Sequence, residues 1–592
     1  MIQYLSKLLN ILSTKKSTLI FLSLLFFGAS TLEVFGIGVI GPFIAVASKP
    51  EIIHQNYWLE LLFEYSGITQ ENQFIALAGL LVIVVYGAKS IFTWLTQVYI
   101  LRFSNLQQAE LASRLVQSYL NAPYLFHIQN NSAYVINNVL QLIRALAGGI
   151  LIPLLTIISN TLMTVFILCL LCFTNLSIIV VFLAVLLPLV VLYNYFKDRL
   201  ERWGEEGRIA QQAMISTINH GLGGVKETRI IGCESYFEQQ LSKHAHKLSE
   251  LSTKFFAFRL LPRYIAETFM ILAMVGIISG FLLLNRDIEE LTAILGIYAL
   301  AALRIIPLIS NSASGLSTLR NNNHVLDKLY LDLIELEASK IATDRIEPSV
   351  ITEPFNHVTH PEKGIVLDQI SFHYPNNSVN AISKMSLAVS RGESIALIGK
   401  SGAGKTTLVD LILGLLTPQS GDIRVDGKSI YENLRGWQNS IGYIPQSIFL
   451  IDDSLERNIA FGVPDHLIDR NKLYDSIEAA QLTEVVANLP NGIKTQLGER
   501  GVLLSGGQRQ RVGIARAIYH EREILVLDEA TAALDNETEG LITQSIRSLG
   551  GNKTMIHIAH RLTTVEHCDR IYLLDKGHII KSGSYEDVVI NI

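Results

Sequence analysis

Charge and cysteine are what this 592-residue chain has little of. Charged residues make up 17% of it, where an average soluble domain carries about 25%. With hydrophobic residues at 49%, disorder is excluded, because a disordered chain needs charge to outweigh its apolar content. Four cysteines (Cys169, Cys172, Cys233 and Cys568) are too few for a disulfide framework. Basic excess is missing too: 48 Lys and Arg stand against 53 Asp and Glu, a net charge of −5. No overall basic field exists to hold nucleic acid, which is not expected as a partner.

What the chain does have is long apolar runs, unevenly spread. From Ser17 to Ser48 the only charge is Glu33, and about 20 apolar residues suffice to cross a bilayer. Further runs cover about Phe74–Tyr99, Gly148–Phe173, Leu176–Phe196, Ile265–Leu284 and Leu291–Leu308. Six spans are predicted, the third and fourth joined by Thr174-Asn175 alone. The first run is about twice the length of a signal peptide's apolar core and lacks a small-residue cleavage site, so it reads as a span. Basic residues fix the orientation. Lys7, Lys15 and Lys16 precede the first span, and eleven Lys and Arg from Lys197 to Arg263 fill the loop between the fourth and fifth. The loop between the first two spans carries Glu51, Glu60, Glu64 and Glu71. The basic loops are therefore cytoplasmic, as is everything after the sixth span.

Two cytoplasmic stretches, about 100–147 and 197–264, read as helical continuations of their spans. Each carries a break, at Asn121-Ala122-Pro123 and at Gly221-Leu222-Gly223-Gly224. They are expected either to be plain hairpins or to touch the soluble part with their tips. Between the first two spans, Ile52, Ile53, Trp58, Leu59, Leu61, Leu62 and Phe63 alternate with His54, Glu60 and Glu64. This pattern fits a short amphipathic helix at the outer membrane surface, or a capping turn against the second span. Cys169 and Cys172 form a C-x-x-C inside an apolar span and are expected to be packing residues.

The soluble part begins with strand-like Ser394–Ile398, followed by Gly399-Lys400-Ser401-Gly402-Ala403-Gly404-Lys405-Thr406 and the helical run Thr407–Leu416. Strand, glycine-rich loop and helix together make a phosphate cradle, because inward-facing amides and a helix N-terminus both attract anions. Lys405 is placed to reach the β and γ phosphates and the Thr406 hydroxyl to ligate Mg²⁺. Farther on, the apolar strand Ile524–Leu527 delivers Asp528 and Glu529 at its end. Asp528 suits the Mg²⁺ shell, and Glu529 suits a general base acting on the attacking water. ATP binding and hydrolysis are the expected chemistry.

With Leu504-Ser505-Gly506-Gly507-Gln508 the chain resembles the ABC transporter superfamily, in its exporter-type half-transporters. The resemblance implies that Tyr374, in Phe372-His373-Tyr374, stacks on adenine. Gln446, in Ile444-Pro445-Gln446, takes the Q-loop role, ligating Mg²⁺ and assisting catalysis. Gly498-Glu499-Arg500-Gly501 resembles the exporter X-loop. Asp535 belongs to a D-loop, preceded by Ala532 where many relatives have Ser, and His560 matches the switch histidine that holds the γ phosphate. Gly399, Ser401, Gly402, Gly404, Lys405, Thr406 and Thr407 then hold one side of the nucleotide, while Ser505, Gly506, Gly507, Gln508 and Asp535 hold the other side of a nucleotide bound by a partner. A single chain has one cradle and one signature, so two copies are implied, a homodimer or a pair with a paralogue.

The fold class expected is a membrane α-helical bundle of six spans with cytoplasmic helical extensions, fused to a P-loop α/β nucleotide-binding domain. Its transmembrane domain is placed at 1–330, a linker at 331–364 and the ATP-binding domain at 365–592. Among intramembrane charges, Arg304 is the candidate contact for an anionic headgroup, since guanidinium pairs bidentately with phosphate. The alternative is that Lys89 and Arg304 reach back to the cytoplasmic interface. Combined with Ala301–Pro307 and Gly224-Val225-Lys226-Glu227, the outer loop resembles the PglK-type flippases of lipid-linked oligosaccharides. The expected function is ATP-driven export or flipping of an amphipathic, lipid-linked oligosaccharide or polysaccharide precursor across the bacterial inner membrane, with membrane lipids as partners. Two alternatives stay open: a drug, lipid or peptide exporter with the same engine, and an ATP-gated regulator or channel.

Overall fold

Each predicted apolar run lies in a helix. In the computed structural model the described residues are 2–12, 16–68, 70–174, 176–283, 288–343, 364–375, 377, 379–529, 540, 553–559 and 565–590. The chain divides into two compact units: Met1–Asn121 with Asn130–Ala338, and Ala122–Gln129 with Ser339–Ile592.

The first unit is all helix. Its long members are Lys16–Ser48, Glu71–Leu120, Ile152–Thr174, Leu176–Gly223, Glu234–Leu283 and Ile288–Asn321, the last followed by Asn323–Thr343. Among the described residues, three helices are long and apolar enough to cross a membrane: Lys16–Ile44, Glu71–Leu120 and Tyr134–Cys172. The helix Glu71–Leu120 has 50 residues, about 75 Å at the α-helical rise, while a bilayer core is about 30 Å thick. More than half of it therefore extends beyond the membrane, as the reading of 100–147 as a continuation requires. It stops at Asn121, and a short helix Tyr124–Gln129 follows the predicted break. At the second break the helices Leu176–Gly223, Val225–Ile231 and Glu234–Leu283 succeed one another.

The loop between the first two spans forms helices Ile52–Gln55 and Tyr57–Ser66. The packing is that of a capping turn, with one edge left exposed. Ile53 is buried with Val46 and Phe74, and Leu59 and Phe63 pack beside them, while Tyr57, Trp58, Leu62 and Tyr65 stay exposed. Cys169 and Cys172 depart from expectation: both are free thiols exposed on this chain, because they fall on the outward face of their helix. Beyond the apolar runs, the Asp332 carboxylate accepts hydrogen bonds from Tyr119 (3.1 Å), Tyr134 (2.9 Å) and Asn138 (2.7 Å). This ties the helix leaving the sixth predicted span to the continuations of the second and third. Burial and the neighbouring carboxylate both raise the Tyr119 pKa.

The second unit holds two sheets. Strands β1 (Gly364–Phe372), β2 (Ile382–Ser390), β3 (Ser394–Gly399), β4 (Ser420–Val425), β5 (Lys428–Ser429), β6 (Ile441–Ile444), β7 (Ile524–Asp528), β8 (Thr554–Ile558), β9 (Arg570–Asp575) and β10 (His578–Gly583) occur in that order. The smaller sheet, β2-β1-β4-β5, is antiparallel. The larger has the order β10-β9-β3-β8-β7-β6, parallel except for the β9–β10 hairpin. Central parallel strands are covered on both faces and read as unbroken apolar runs. That is why Ile395, Ala396, Leu397, Ile524, Leu525, Val526 and Leu527 are all buried. Opposite β3 and β7, Ile558 of β8 pairs with Leu397 and with Asp528. The carboxyl ends of three adjacent strands therefore share one edge of the sheet, where open α/β sheets bind ligands.

Candidate nucleotide site

At that edge β3 turns into the helix Lys405–Ile412 through a loop that only glycine can follow. A Cβ on Gly399 (φ 152°) would sit 2.3 Å from the Leu574 carbonyl oxygen, whereas one on Gly402 (φ 80°) would meet nothing within 4 Å. The first glycine is demanded by packing against β9, the second by the turn of the backbone alone. The loop amides thus face an open space at a helix N-terminus, an anion-binding nest.

Lys405 is buried and folds back, its Nζ donating to the carbonyls of Gly399 (2.8 Å) and Lys400 (3.2 Å). Burial lowers its pKa, and the Glu529 and Asp528 carboxylates oppose that shift. Ser401 and Thr406 are exposed, leaving both hydroxyls accessible. Thr407 is buried, and its hydroxyl pairs with that of Tyr374 at 3.1 Å. The Tyr374 ring is held edge-on against Phe372, with centroids 5.1 Å apart. Burial, with the Asp528 carboxylate adding to it, pushes the Asp410 carboxyl up to about 6.

Asp528 ends β7 and receives the Tyr443 hydroxyl at 3.4 Å. Glu529 follows in left-handed backbone, φ 47°, a conformation of the kind that collects at functional sites. Two hydrogen bonds to its backbone hold it there: the Glu529 amide donates to the Ile558 carbonyl (3.0 Å), and Gln510 Nε2 donates to the Glu529 carbonyl (3.3 Å). Its side chain takes a 2.7 Å hydrogen bond from Gln446 Nε2. The structure thus gathers Lys405, Asp528, Glu529 and Gln446. Asp535 and His560 lie outside the described residues.

The signature residues stand on another helix N-terminus. Ser505 caps the helix Gly506–Tyr519, accepting from the Gln508 amide at 3.2 Å, while Gln508 Oε1 accepts from the Ser505 amide at 2.8 Å. Gln508 therefore has a local structural use, closing the capping box. Gly506 and Gly507 open the helix, leaving their amides toward its N-terminal end. Sequence reasoning missed Tyr443 and Gln510. The signal for Tyr443 was its place three residues before Gln446 on a strand beside β7, and for Gln510 a polar residue on the apolar face of the signature helix.

The donor set suits Mg²⁺. Thr406, Asp528 and Gln446 offer hard oxygens, and among the described residues no group of three or more His, Cys, Asp or Glu could cage a metal alone. Mg²⁺ is commonly held in that way, by one or two protein oxygens together with substrate phosphates.

In the first unit, Lys89 does not reach back to the interface. Its Nζ lies 2.6 Å from Glu33 Oε1, the two side chains being 2% and 5% exposed. Arg304 Nε stands 3.3 Å from the same oxygen, and its side chain is 39% exposed. The Arg304 Nη2 donates to the Tyr86 hydroxyl, with the guanidinium 5.2 Å from the Tyr86 ring centroid.

A phosphate nest, a paired carboxylate strand end and a capped signature helix in one unit define an ATP-binding-cassette ATPase. Residues 382–532 match the family model for the ABC transporter. The "ATP-dependent lipid A-core flippase" of Cupriavidus metallidurans is 31% identical over 498 residues, 82% of this chain and 80% of that protein. Its namesake in Cupriavidus pinatubonensis is 30% identical over 490 residues, covering 82% and 81%. A solved structure, "Structure of a bacterial Atm1-family ABC exporter with ATP bound", superposes with a TM-score of 0.73 over 96% of both chains at 22% identity. This chain belongs to the ABC transporter superfamily, and its fold is that of an ABC exporter: a helical transmembrane part followed by an ATP-binding domain.

Proposed function

We propose that the chain, as a homodimer in a bacterial inner membrane, uses ATP to flip an amphipathic lipid carrying a phosphorylated saccharide. The observation that carries this reading is the convergence of Lys405, Asp528, Glu529 and Gln446 in a chain whose other unit is made of helices long enough to span a bilayer. The names of the curated relatives support the lipid-linked class of substrate. The PglK-type assignment is a narrower version of the same proposal.

In this mechanism Lys405 leaves its two carbonyl partners for the β and γ phosphates, which replace them as acceptors. Thr406, Asp528 and Gln446 would hold Mg²⁺, which would supply neutralisation of the phosphate charge. Glu529 takes the proton of the attacking water, and the 2.7 Å bond from Gln446 fixes the carboxylate in place for it. His560 contacts the γ phosphate. Ser505, Gly506, Gly507 and Asp535 of one copy complete the site on the other, so closure of the pair requires two nucleotides and two chains. Closure favours one arrangement of the spans and hydrolysis releases it, a two-state element biased by ligand. Tyr124 and Leu125 belong to the same compact unit as the ATP site, with Leu125 packed on its core, and burial with the Asp410 carboxylate beside it raises the Tyr124 pKa. This supports a coupling role for the first helical break.

The test is reconstitution in vesicles with a fluorescent phosphorylated glycolipid. The expected result is ATP-dependent movement between leaflets, abolished in Glu529→Gln. Intact ATP turnover without movement of any amphipathic lipid would overturn the flippase reading.

A further inference from the structure

The helical unit holds a cavity of about 350 Å³, apart from the nucleotide site. That volume falls among those of small-molecule sites, about 300–1,000 Å³. Four stretches wall it, 137–145, 203–215, 248–256 and 321–328, all outside the six apolar runs. Its lining is rich in carboxamides. Asn137, Gln141, Gln211 and Asn321 border it, and among the described residues none of these side chains makes a hydrogen bond. Each offers two donors and an acceptor, left to water or to a ligand. Asn137 precedes the π-helical turn Asn138–Leu142 and Gln141 lies within it; such turns inside α-helices frequently mark functional sites. Trp203 and Phe255 add apolar rings to the lining. Charge is a minor part of it. Among the described residues no Asp or Glu lines the cavity. Arg208 does, but its Nε donates to Glu205 at 3.0 Å and its Nη1 to Gln212 at 3.4 Å. Burial, with Arg208 nearby, lowers the His324 pKa, so that ring is neutral near pH 7. The Lys328 Nζ stands over the Tyr134 ring, 4.5 Å from its centroid.

We propose that this cavity binds a saccharide, whose hydroxyls exchange hydrogen bonds with Asn137, Gln141, Gln211 and Asn321 while Trp203 and Phe255 cover a C–H face of the ring. A hydroxyl donates and accepts, as a carboxamide does, so a sugar satisfies both ends of each amide. A phosphate or carboxylate anion only accepts, and would leave the amide oxygens unmet. Lys328 leaves the site tolerant of an acidic sugar. Two sources share this chemistry, the head of a lipid-linked saccharide and a free sugar. The first rests on the reading of the chain as a flippase of such lipids, and adds to it a place where the saccharide is held.

The experiment titrates the full-length chain, in a detergent without a sugar headgroup, with three probes, alongside vesicle flipping. They are a lipopolysaccharide truncated to its core, the oligosaccharide released from it by deacylation, and phosphatidylglycerol. The wild type is expected to bind the oligosaccharide, and phosphatidylglycerol not to displace it. Gln141→Leu combined with Gln211→Leu, at two exposed positions, is expected to weaken that binding about tenfold, the value of two hydrogen bonds. Gly207→Leu fills the cavity and is expected to abolish binding with all four carboxamides present. A Cβ at Gly207 meets only Leu248, at 3.8 Å, so the helix accommodates it. No oligosaccharide binding by the wild type, its displacement by phosphatidylglycerol, or unchanged binding in both variants would overturn the site and leave the flippase reading standing. Slower flipping of the lipopolysaccharide by Gly207→Leu supports the site as one for the transported lipid. Lost oligosaccharide binding with unchanged flipping supports it as one for a free sugar. Saccharide binding without ATP-driven movement of any lipid would instead overturn the flippase reading and leave the site standing.

Discussion

Two glycines of the phosphate loop separate folding from binding. Gly399→Ala places a methyl group 2.3 Å from the Leu574 carbonyl oxygen and forces alanine to φ 152°. Overpacking against backbone and a strained dihedral each cost about 1–3 kcal/mol, so together about 2–6 kcal/mol. That is a large part of the roughly 5–15 kcal/mol that stabilises a domain. Gly402→Ala also sits at positive φ, 80°, with nothing within 4 Å of the new methyl. Its cost is conformational alone, about 1–2 kcal/mol. The Gly402 methyl would, however, stand in the face of the nest where phosphate oxygens approach. The assay is thermal unfolding of the full-length chain with and without ATP. Nucleotide at about 100 times its Kd stabilises the wild type by about 2.7 kcal/mol, and a hundredfold weaker site retains about 0.4 kcal/mol. Gly399→Ala is expected to melt early without ligand, and Gly402→Ala to melt near the wild type while losing the ATP-induced shift. Equal destabilisation by the two, or a full ATP shift in Gly402→Ala, would refute this division of roles.

Glu529→Gln is expected to lower ATP turnover by about 10²–10⁴-fold while leaving the ATP concentration for half-saturation unchanged, read by fluorescent nucleotide binding. Asp410, with its folded pKa raised from 3.8 to about 6, stabilises the folded chain when protonated; its contribution is complete below about pH 4 and lost as pH rises through about 6, worth about 3 kcal/mol at most. Asp410→Asn is therefore expected to flatten the fall in melting temperature between pH 5 and pH 7.5. Replacing Asp332 with Ala strands the three donors that converge on it, at a cost of about 3 kcal/mol or more. Hydrogen exchange should then open in the helices around Tyr119 and Asn138, with exchange in the P-loop helix unchanged.

How much was legible differs from element to element. Ser394–Thr406 could be read because its signal is local: an apolar strand, glycines at fixed offsets and a lysine opening the next helix. The Glu529 role followed from one residue's offset to Asp528, but its left-handed backbone and its bond to Gln446, 83 residues away, did not. Gln508 read as a ligand-facing residue, and the same spacing from Ser505 that makes a signature also makes a capping box. The outer loop admitted two readings because amphipathicity describes a face without saying what covers it, and the fold used one edge of each short helix for packing and left the other exposed.

The order of hydrophobic and charged residues alone determined that the long apolar runs would be helices and that a glycine-rich loop would lead from an apolar strand into a helix. Each of these depends on residues within a turn or two of one another, whose solvent preference and backbone freedom hardly vary with context. Only tertiary structure decided which charges meet: Lys89 finds Glu33 across 56 positions, Asp332 gathers donors from two other stretches of chain, and Tyr374 bonds Thr407 across 33. Such partnerships arise because a buried charge or hydroxyl must be satisfied by whatever group packing brings within about 3 Å, and neighbours in space leave no mark at a fixed spacing along the chain.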